Sequence, residues 1–199
     1  MSAAPGRPLE LQLVHAQSVA PQAWRNGGGQ TRELLAWPPG DAWKLRISRA
    51  DITVDGPFSV FAEVQRWFTV LRGAGVMLDF VGTERERRQG DAPLCFDGAA
   101  APGCRLLDGA TQDLNLMARH GEGLMQEVQV GQGWSVPPTT MRGLYTTVGG
   151  QWRSGAQVCD LPADTLLWAG KHDGAAWMFQ PHPPGEAHSA WWLAFTPEE

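Results

Sequence analysis

In the stretch WKLRISRAD, residues 43–51, apolar and polar side chains alternate along the chain from Trp43 to Ser48. One face carries Trp43, Leu45 and Ile47, and the other carries Lys44, Arg46, Ser48 and Ala50. This period of two predicts a β-strand with one face in a hydrophobic core. In an open sheet the polar face meets water. In a closed barrel it lines a cavity, where Arg46 is suited to grip an anion with two parallel hydrogen bonds.

Short β-favouring runs between turn residues extend this pattern along the chain, which has 24 glycines and 15 prolines. Such spacing predicts an all-β sandwich or barrel. The run FTVLRGAGVMLDF, residues 68–80, predicts a hairpin that turns at its glycines. The run DLNLMAR, residues 113–119, predicts a short helix capped by Asp113. A weak internal similarity between the halves, with no linker between them, favours two lobes that share a core.

Composition excludes several classes of protein. Apolar residues make up 43% of the 199 residues, charged residues 19%, and the net charge is −5. This balance is typical of a soluble globular protein, and we expect no nucleic-acid partner because there is no dense basic block. No apolar run is long enough to span a membrane. The first ten residues lack an apolar signal core, so we expect a cytoplasmic protein whose three cysteines are reduced thiols.

The residue patterns of common enzyme sites are missing. The five histidines show neither HxH nor HExxH spacing, and prolines and a glycine within HPPGEAH, residues 182–188, favour a solvated loop over a metal site. The triple glycine fits neither a Walker loop nor GxGxxG, and no GxSxG occurs. We therefore expect no metal and no cofactor.

Three further segments carry polar residues in unusual company. Three glycines stand among polar residues in WRNGGGQTREL, residues 24–34, and Arg66, Asp113 and Asn115 stand beside large apolar residues. Buried polar groups need partners, so convergence on one pocket would explain these placements. Local hydrogen bonding to loops is the alternative. Of the ten tryptophans, we expect most to fill the core.

In order and spacing, four motifs resemble the HutD/Ves family over about residues 12–120: WRNGGGQTREL, LRISRADITVDGPFSVF (residues 45–61), Arg66 ahead of VLRG, and DLNLMAR. The resemblance implies a bicupin, with two RmlC-like jelly-roll barrels over residues 1–120 and 121–199. It also implies a role linked to histidine utilisation, in which members restrain pathway induction by binding a metabolite such as urocanate. Ves members are associated with cold response. The two-histidine-and-glutamate metal set of most cupins is absent, as it is in the family.

We predict one ligand pocket in the N-terminal lobe. Its residues are Asn26, Gly27, Gly28, Gln30, Thr31, Arg46, Ser48, Phe58, Ser59, Arg66, Asp113 and Asn115. The glycine N–H groups would point inward, the polar side chains would add hydrogen bonds, and Arg46 would be the main anchor for a small carboxylate. A β-bulge or a tight corner is the alternative for the glycine run.

Three functions remain open at this stage. The first is a metal-free cupin that binds a small carboxylate and modulates histidine catabolism. The second is a metal-independent isomerase, lyase or hydrolase that uses Arg46, Asp113 or Glu33 as acid or base. The third, suggested by the tryptophans, is a sugar-binding β-sandwich. The expected partner is a small molecule, with no nucleic acid and no membrane, and the sequence leaves a homodimer open.

Overall fold

The computed structural model describes residues 10–170, 174–183 and 188–198, and these residues form the all-β fold that the sequence predicts. Two short 3₁₀ turns, Ala16–Ser18 and Gly98–Ala100, are the helical elements of this described part. None of its helices has the length and apolar character needed to cross a membrane. Residues 184–187 of the predicted solvated loop lie outside the described residues.

The strands of the described chain follow one another at short intervals. The first eleven are β1 (Leu11–His15), β2 (Gln22–Ala23), β3 (Gly29–Trp37), β4 (Leu45–Ile52), β5 (Gly56–Pro57), β6 (Gln65–Arg72), β7 (Val76–Asp79), β8 (Glu84–Arg87), β9 (Leu94–Asp97), β10 (Gly103–Leu106) and β11 (Thr111–Ala118). The remaining strands are β12 (Gly121–Glu127), β13 (Met141–Thr146), β14 (Gly150–Ser154), β15 (Gln157–Leu161), β16 (Thr165–Ala169), β17 (Trp177–Pro181) and β18 (Ala190–Pro197).

These strands pair antiparallel into four sheets within the described residues. A six-stranded sheet has the order β2-β3-β4-β11-β6-β9, and a four-stranded sheet has the order β5-β10-β7-β8. A five-stranded sheet has the order β1-β16-β13-β18-β12, and a three-stranded sheet has the order β15-β14-β17. Strand β1 pairs with β16, so the start of the described chain lies in a sheet whose other strands all follow residue 120.

In the described part of the chain, three hydrophobic cores separate the four sheets. The first lies between the four- and six-stranded sheets and includes Phe68 and Leu78. The second lies between the six- and five-stranded sheets and includes Ile47 and Leu193. The third lies between the five- and three-stranded sheets and includes Trp152. Because strands from both halves of the chain enclose the second core, burial of its apolar surface joins the halves.

Strand β4 shows the predicted alternation. Leu45 and Ile47 are fully buried in the second core, whereas Arg46 and Ser48 face the opposite side of the six-stranded sheet and line a cavity there. Trp43 departs from the prediction, because β4 begins two residues later. Its ring contacts Phe61 instead, with centroids 6.4 Å apart.

The predicted helix over residues 113–119 is wrong, because this segment is the central strand β11. It pairs along its whole length with β4 on one side and β6 on the other. Leu114 and Leu116 enter the second core, while Asp113 and Asn115 project from the opposite face. This alternation has the period of a strand, and Asp113 is a buried side chain rather than a cap.

The predicted hairpin over residues 68–80 is also wrong in its pairing. Strands β6 and β7 flank the glycine turn, but they belong to different sheets and do not pair. Gly73 and Gly75 have φ of +97° and +110°, and a Cβ on Gly75 would stand 2.2 Å from the Arg87 carbonyl oxygen. The turn is therefore a corner at which the chain crosses from one sheet to the other, so that residues of both strands enter the first core.

Most tryptophans fill cores, as expected. Six of the ten are buried: Trp134, Trp152, Trp168, Trp177, Trp191 and Trp192. Trp134 and Trp192 stack with centroids 5.0 Å apart, and Trp152 meets Trp177 edge-on at the same distance. Aromatic rings thus fill the space between the five- and three-stranded sheets. The three cysteines are free thiols.

Candidate functional site

A cavity of about 600 Å³ opens on the face of the six-stranded sheet that is turned away from the second core. The sheet supplies Thr31, Arg46, Ser48, Ala50, Arg66, Asn115 and Met117. Two segments, residues 22–26 and 57–61, supply the rest of the lining. The size suits a small metabolite.

Arg66 is the most deeply placed charged group of the lining. It is 7% exposed, and its Nε and Nη2 both donate to Oδ1 of Asn115, at 3.0 and 2.7 Å. The Phe58 ring covers the guanidinium at 4.2 Å, a cation–π contact. Nη1 has no hydrogen-bond partner among the described residues, so the guanidinium is held by a neutral acceptor and keeps donors for a ligand.

Burial determines the electrostatics around Arg66. It lowers the pKa of Arg66 to about 10, and the nearby Asp113 opposes this shift, so the guanidinium is charged at neutral pH. Burial also raises the pKa of Asp113 to about 8, against the opposing effects of the Thr111 hydrogen bond and of Arg66. Asp113 is fully buried and does not line the cavity.

Arg46 lies nearer the solvent than Arg66 and is already paired. Its Nε donates to Oε2 of Glu33 at 2.7 Å, and its side chain is 18% exposed. Its guanidinium still lines the cavity, but the carboxylate beside it offsets part of its charge. Arg66, rather than the predicted Arg46, is therefore the stronger candidate anchor for an anion.

The triple glycine is a tight turn, which is the alternative given for it above. The N–H of Gly27 donates to the Trp24 carbonyl at 3.0 Å, and that of Gly28 donates to Oδ1 of Asn26 at 3.0 Å. The prediction that these N–H groups point at a ligand is wrong, because turn acceptors already occupy them. Gly29 is needed for close approach, since a Cβ there would stand 2.3 Å from the Asp51 carbonyl oxygen.

This turn positions the segment of residues 22–26 at the cavity. The indole Nε1 of Trp24 donates to the Thr31 hydroxyl at 2.8 Å. Hydrogen bonds from the N–H groups of Thr53 and Val54 to the Gly28 carbonyl attach the turn to the chain beyond β4. The glycine run thus acts indirectly, by bringing Trp24, with Arg25 and Asn26, to the lining.

The second lining segment is attached at both ends. The N–H of Phe58 donates to the Pro102 carbonyl at 3.0 Å, and that of Phe61 donates to the Gly98 carbonyl at 3.0 Å. These bonds present the rings of Phe58 and Phe61 to the cavity as apolar walls.

Eight of the twelve predicted site residues line this one cavity: Asn26, Thr31, Arg46, Ser48, Phe58, Ser59, Arg66 and Asn115. Gly27 and Gly28 form the turn, and Asp113 lies buried behind the lining. Gln30 points to the other face of the sheet, where its Nε2 donates to Asp51 at 2.9 Å. The structure therefore does not bring these four to the cavity.

Sequence reasoning missed several lining residues. Met117 carried a signal, because it continues the alternation of Asp113 and Asn115 along one strand face. Arg25, Val60 and Phe61 lie in segments without a periodic pattern, so no local signal marked them. The lining includes Arg25, Arg46 and Arg66, and the described residues contribute no Asp, Glu, His or Cys to it. No group of three such potential metal ligands clusters anywhere in the described part of the chain.

The stacked antiparallel sheets and the cavity on the six-stranded one define an all-β protein with a cupin-like sandwich fold. An oxalate decarboxylase from Bacillus subtilis has the same fold, with a TM-score of 0.62 over 98% of this chain and 79% of that one, at 9% identity. A conserved protein of unknown function from Pseudomonas aeruginosa PAO1 is more similar, with a TM-score of 0.81, 29% identity and coverage of 96% and 100%.

The chain belongs to the HutD family, whose model matches residues 16–181. It is 30% identical to Protein Ves of Citrobacter koseri over 194 residues, which cover 94% of this chain and 98% of that protein. It is also 38% identical over 110 residues to a Pseudomonas putida protein described as an uncharacterized 21.2 kDa protein in the hutC 3′ region, with coverage of 54% and 58%.

Proposed function

We propose that this chain binds a small carboxylate metabolite in the cavity and thereby modulates histidine catabolism. The observation that carries the proposal is the buried guanidinium of Arg66. Asn115 holds it through two hydrogen bonds, while Nη1 has no partner in the described part of the chain. A charge-assisted pair with a carboxylate in such a desolvated place is strong and specific.

Binding is favoured over catalysis by what lines the cavity. Among the residues that the structure describes, the lining has no carboxylate, imidazole or thiol to act as a general base or nucleophile. Glu33 is engaged by Arg46, and Asp113 does not reach the cavity surface. A sugar site gains no support from the tryptophans either, since most of them are buried in cores.

The link to histidine catabolism rests on the family and on one relative. The family model is HutD, and the Pseudomonas putida relative is described by its place in the hutC 3′ region. Urocanate, a flat unsaturated acid with one carboxylate, fits the cavity chemically. Its carboxylate would pair with Arg66, and its ring would lie against the aromatic walls of Trp24, Phe58 and Phe61. A role in this pathway also implies a cytoplasmic protein.

We also propose that the sandwich is a bicupin with two jelly-roll lobes that divide near residue 120. The first core would be the interior of one lobe and the third core that of the other, with the second core as the interface. Strand β1 would then cross from the N-terminal segment to the sheet of the C-terminal lobe. In this arrangement the large cavity belongs to the N-terminal lobe, and tryptophans fill the interior of the other lobe among the described residues.

Calorimetric titration and thermal unfolding with trans-urocanate, formiminoglutamate, histidine and a set of oligosaccharides test the function. A carboxylate that binds and raises the melting temperature supports it, because a ligand of the native state stabilises that state. Chromatography of each mixture after incubation detects turnover. Binding of an oligosaccharide alone, or turnover of any compound, would replace the proposal with one of the other two functions.

A further inference from the structure

Asp113 lies next to the anion site without being part of its surface. It projects from the same face of β11 as Asn115, two residues earlier, and it is fully buried. The Thr111 hydroxyl donates to its Oδ2 at 3.1 Å, and Oδ1 has no partner among the described residues. An ionised carboxylate with one oxygen unpaired in such a place is costly, whereas a neutral carboxyl is much less so.

On its own face of the sheet, the ionisable neighbours of Asp113 are Arg66 of β6 and Cys104 of β10, and Thr111 is the neutral neighbour on β11 itself. Asp51 of β4 lies on the opposite face, where Gln30 and Gln112 donate to it. Asn115 lies roughly 6.8 Å from Asp113 along the strand, and the Arg66 guanidinium that Asn115 holds favours the ionised form of the Asp113 carboxyl. Burial raises the pKa of the Cys104 thiol to about 12, so that thiol carries no charge near neutral pH.

Resting on the proposed carboxylate binding, we propose that Asp113 determines the affinity of the cavity for anions: it stays protonated while Arg66 holds a carboxylate. When Asp113 is neutral, the buried Arg66 presents an uncompensated positive charge to the cavity. When Asp113 is ionised, it compensates Arg66, and a bound carboxylate would leave a net negative charge in a desolvated place. Binding above the Asp113 pKa therefore takes up one proton from solvent for each ligand.

Because ligand binding takes up a proton, the affinity falls as the pH rises. Burial raises the pKa of Asp113 to about 8, so affinity is nearly constant well below that pH and its fall approaches about tenfold per pH unit well above it. Arg66, with its pKa lowered by burial only to about 10, keeps its charge over most of this range. A free histidine imidazole has a pKa of about 6.5, so the imidazole of urocanate is expected to be mostly neutral over this range.

The test is calorimetric titration of trans-urocanate, with formate as a second carboxylate probe, between about pH 7 and about pH 9. The wild type is compared with Asp113→Asn, which imitates the neutral carboxyl. Asp108→Asn is the matched control, since it makes the same chemical substitution at an exposed position. We expect the wild type and the control to lose about tenfold in affinity between about pH 7 and about pH 9, about fivefold of it in the last pH unit, and Asp113→Asn to lose less than about twofold.

Proton uptake is measured on the wild type in two buffers of different ionisation enthalpy. We expect close to no proton per ligand at about pH 7 and nearly one at about pH 9. This measurement decides the matter even if Asp113→Asn fails to fold. Binding without proton uptake, or with the same pH profile in the wild type and Asp113→Asn, overturns this inference alone. Failure of both carboxylates to bind the wild type overturns the proposed function and this inference with it.

Discussion

Replacement of Arg66 by Met is the sharpest test of the candidate site. The substitution removes the charge and the donors but keeps an unbranched apolar side chain under the Phe58 ring, which lies 4.2 Å from the guanidinium. A hydrogen bond to a charged group contributes about 1.5–3 kcal/mol. Because Arg66 is 7% exposed, solvent screens this contribution little, and we expect urocanate affinity to fall by about 10- to 150-fold.

The assay is calorimetric titration at neutral pH, with circular dichroism to confirm that the all-β fold persists. Arg88→Met is the matched control, because this arginine is exposed and pairs only with groups outside the cavity. Arg66→Lys should fall between wild type and Arg66→Met, since an ammonium keeps the charge but cannot form the planar pair of hydrogen bonds to Asn115. A folded Arg66→Met protein that binds urocanate within about twofold of the wild type would refute the reasoning.

Further expectations concern Arg46 at the cavity, the glycine turn, the buried Asp113 carboxyl and the hydrogen bond of Trp67 that joins the six- and five-stranded sheets. Arg46→Met should weaken urocanate binding by no more than about fivefold, because a partly exposed ion pair contributes about 0–1 kcal/mol. Glu33→Gln should strengthen urocanate binding, because it frees the Arg46 guanidinium. If Arg46→Met loses more affinity than Arg66→Met in the same titration, Arg46 rather than Arg66 is the main anchor. Gly29→Ala should lower the free energy of unfolding by about 1–3 kcal/mol through overpacking, which is measured as a lower melting temperature. Gly28→Ala, whose Cβ would meet its nearest atoms at 3.4 Å, should leave the melting temperature almost unchanged. Equal melting temperatures for the two variants would contradict this expectation. The pKa of Asp113 is raised in the folded state, so its contribution to stability is present below the unfolded-state pKa of about 3.9 and is lost as pH rises through about 8. The melting temperature of the wild type relative to Asp113→Asn should therefore fall over that pH window. Parallel curves of melting temperature against pH for the two proteins would contradict the raised pKa. Trp67→Phe removes the 2.9 Å hydrogen bond from Nε1 to the Gly123 carbonyl and should cost about 1 kcal/mol in denaturant unfolding; an unchanged midpoint would show that the bond contributes nothing.

The sequence predicted those elements whose pattern repeats over several residues. Leu45 and Ile47 alternate with Arg46 and Ser48, and the structure places these pairs on opposite faces of β4. The run of residues 113–119 is short, and its apolar residues, two leucines and Met117, fit one or two turns of a helix as well as a strand. Pairing with β4 and β6 settled this segment as a strand, and such pairing involves residues far apart in the chain.

The glycine turn and the corner show a second limit. Glycine marks where the backbone needs freedom, and both glycine clusters are indeed turns. The direction of each turn depends on its distant neighbours. Gly29 lies against the Asp51 backbone, and Gly75 lies against the Arg87 backbone. No local pattern states that the chain after Gly75 enters another sheet.

By itself the sequence determined the all-β class, the family, the polar face of β4 and eight of the residues that line the cavity. Local periodicity and composition carry that information, since they depend on neighbours one or two residues apart. Only the tertiary structure decided that Arg66 is buried while Arg46 is paired with Glu33, and that Asp113 lies behind the lining that Asn115 joins. Depth and charge pairing arise from contacts between strands distant in sequence. Asp113 and Asn115 therefore hold equivalent positions on one face of β11, yet of the two only Asn115 lines the cavity.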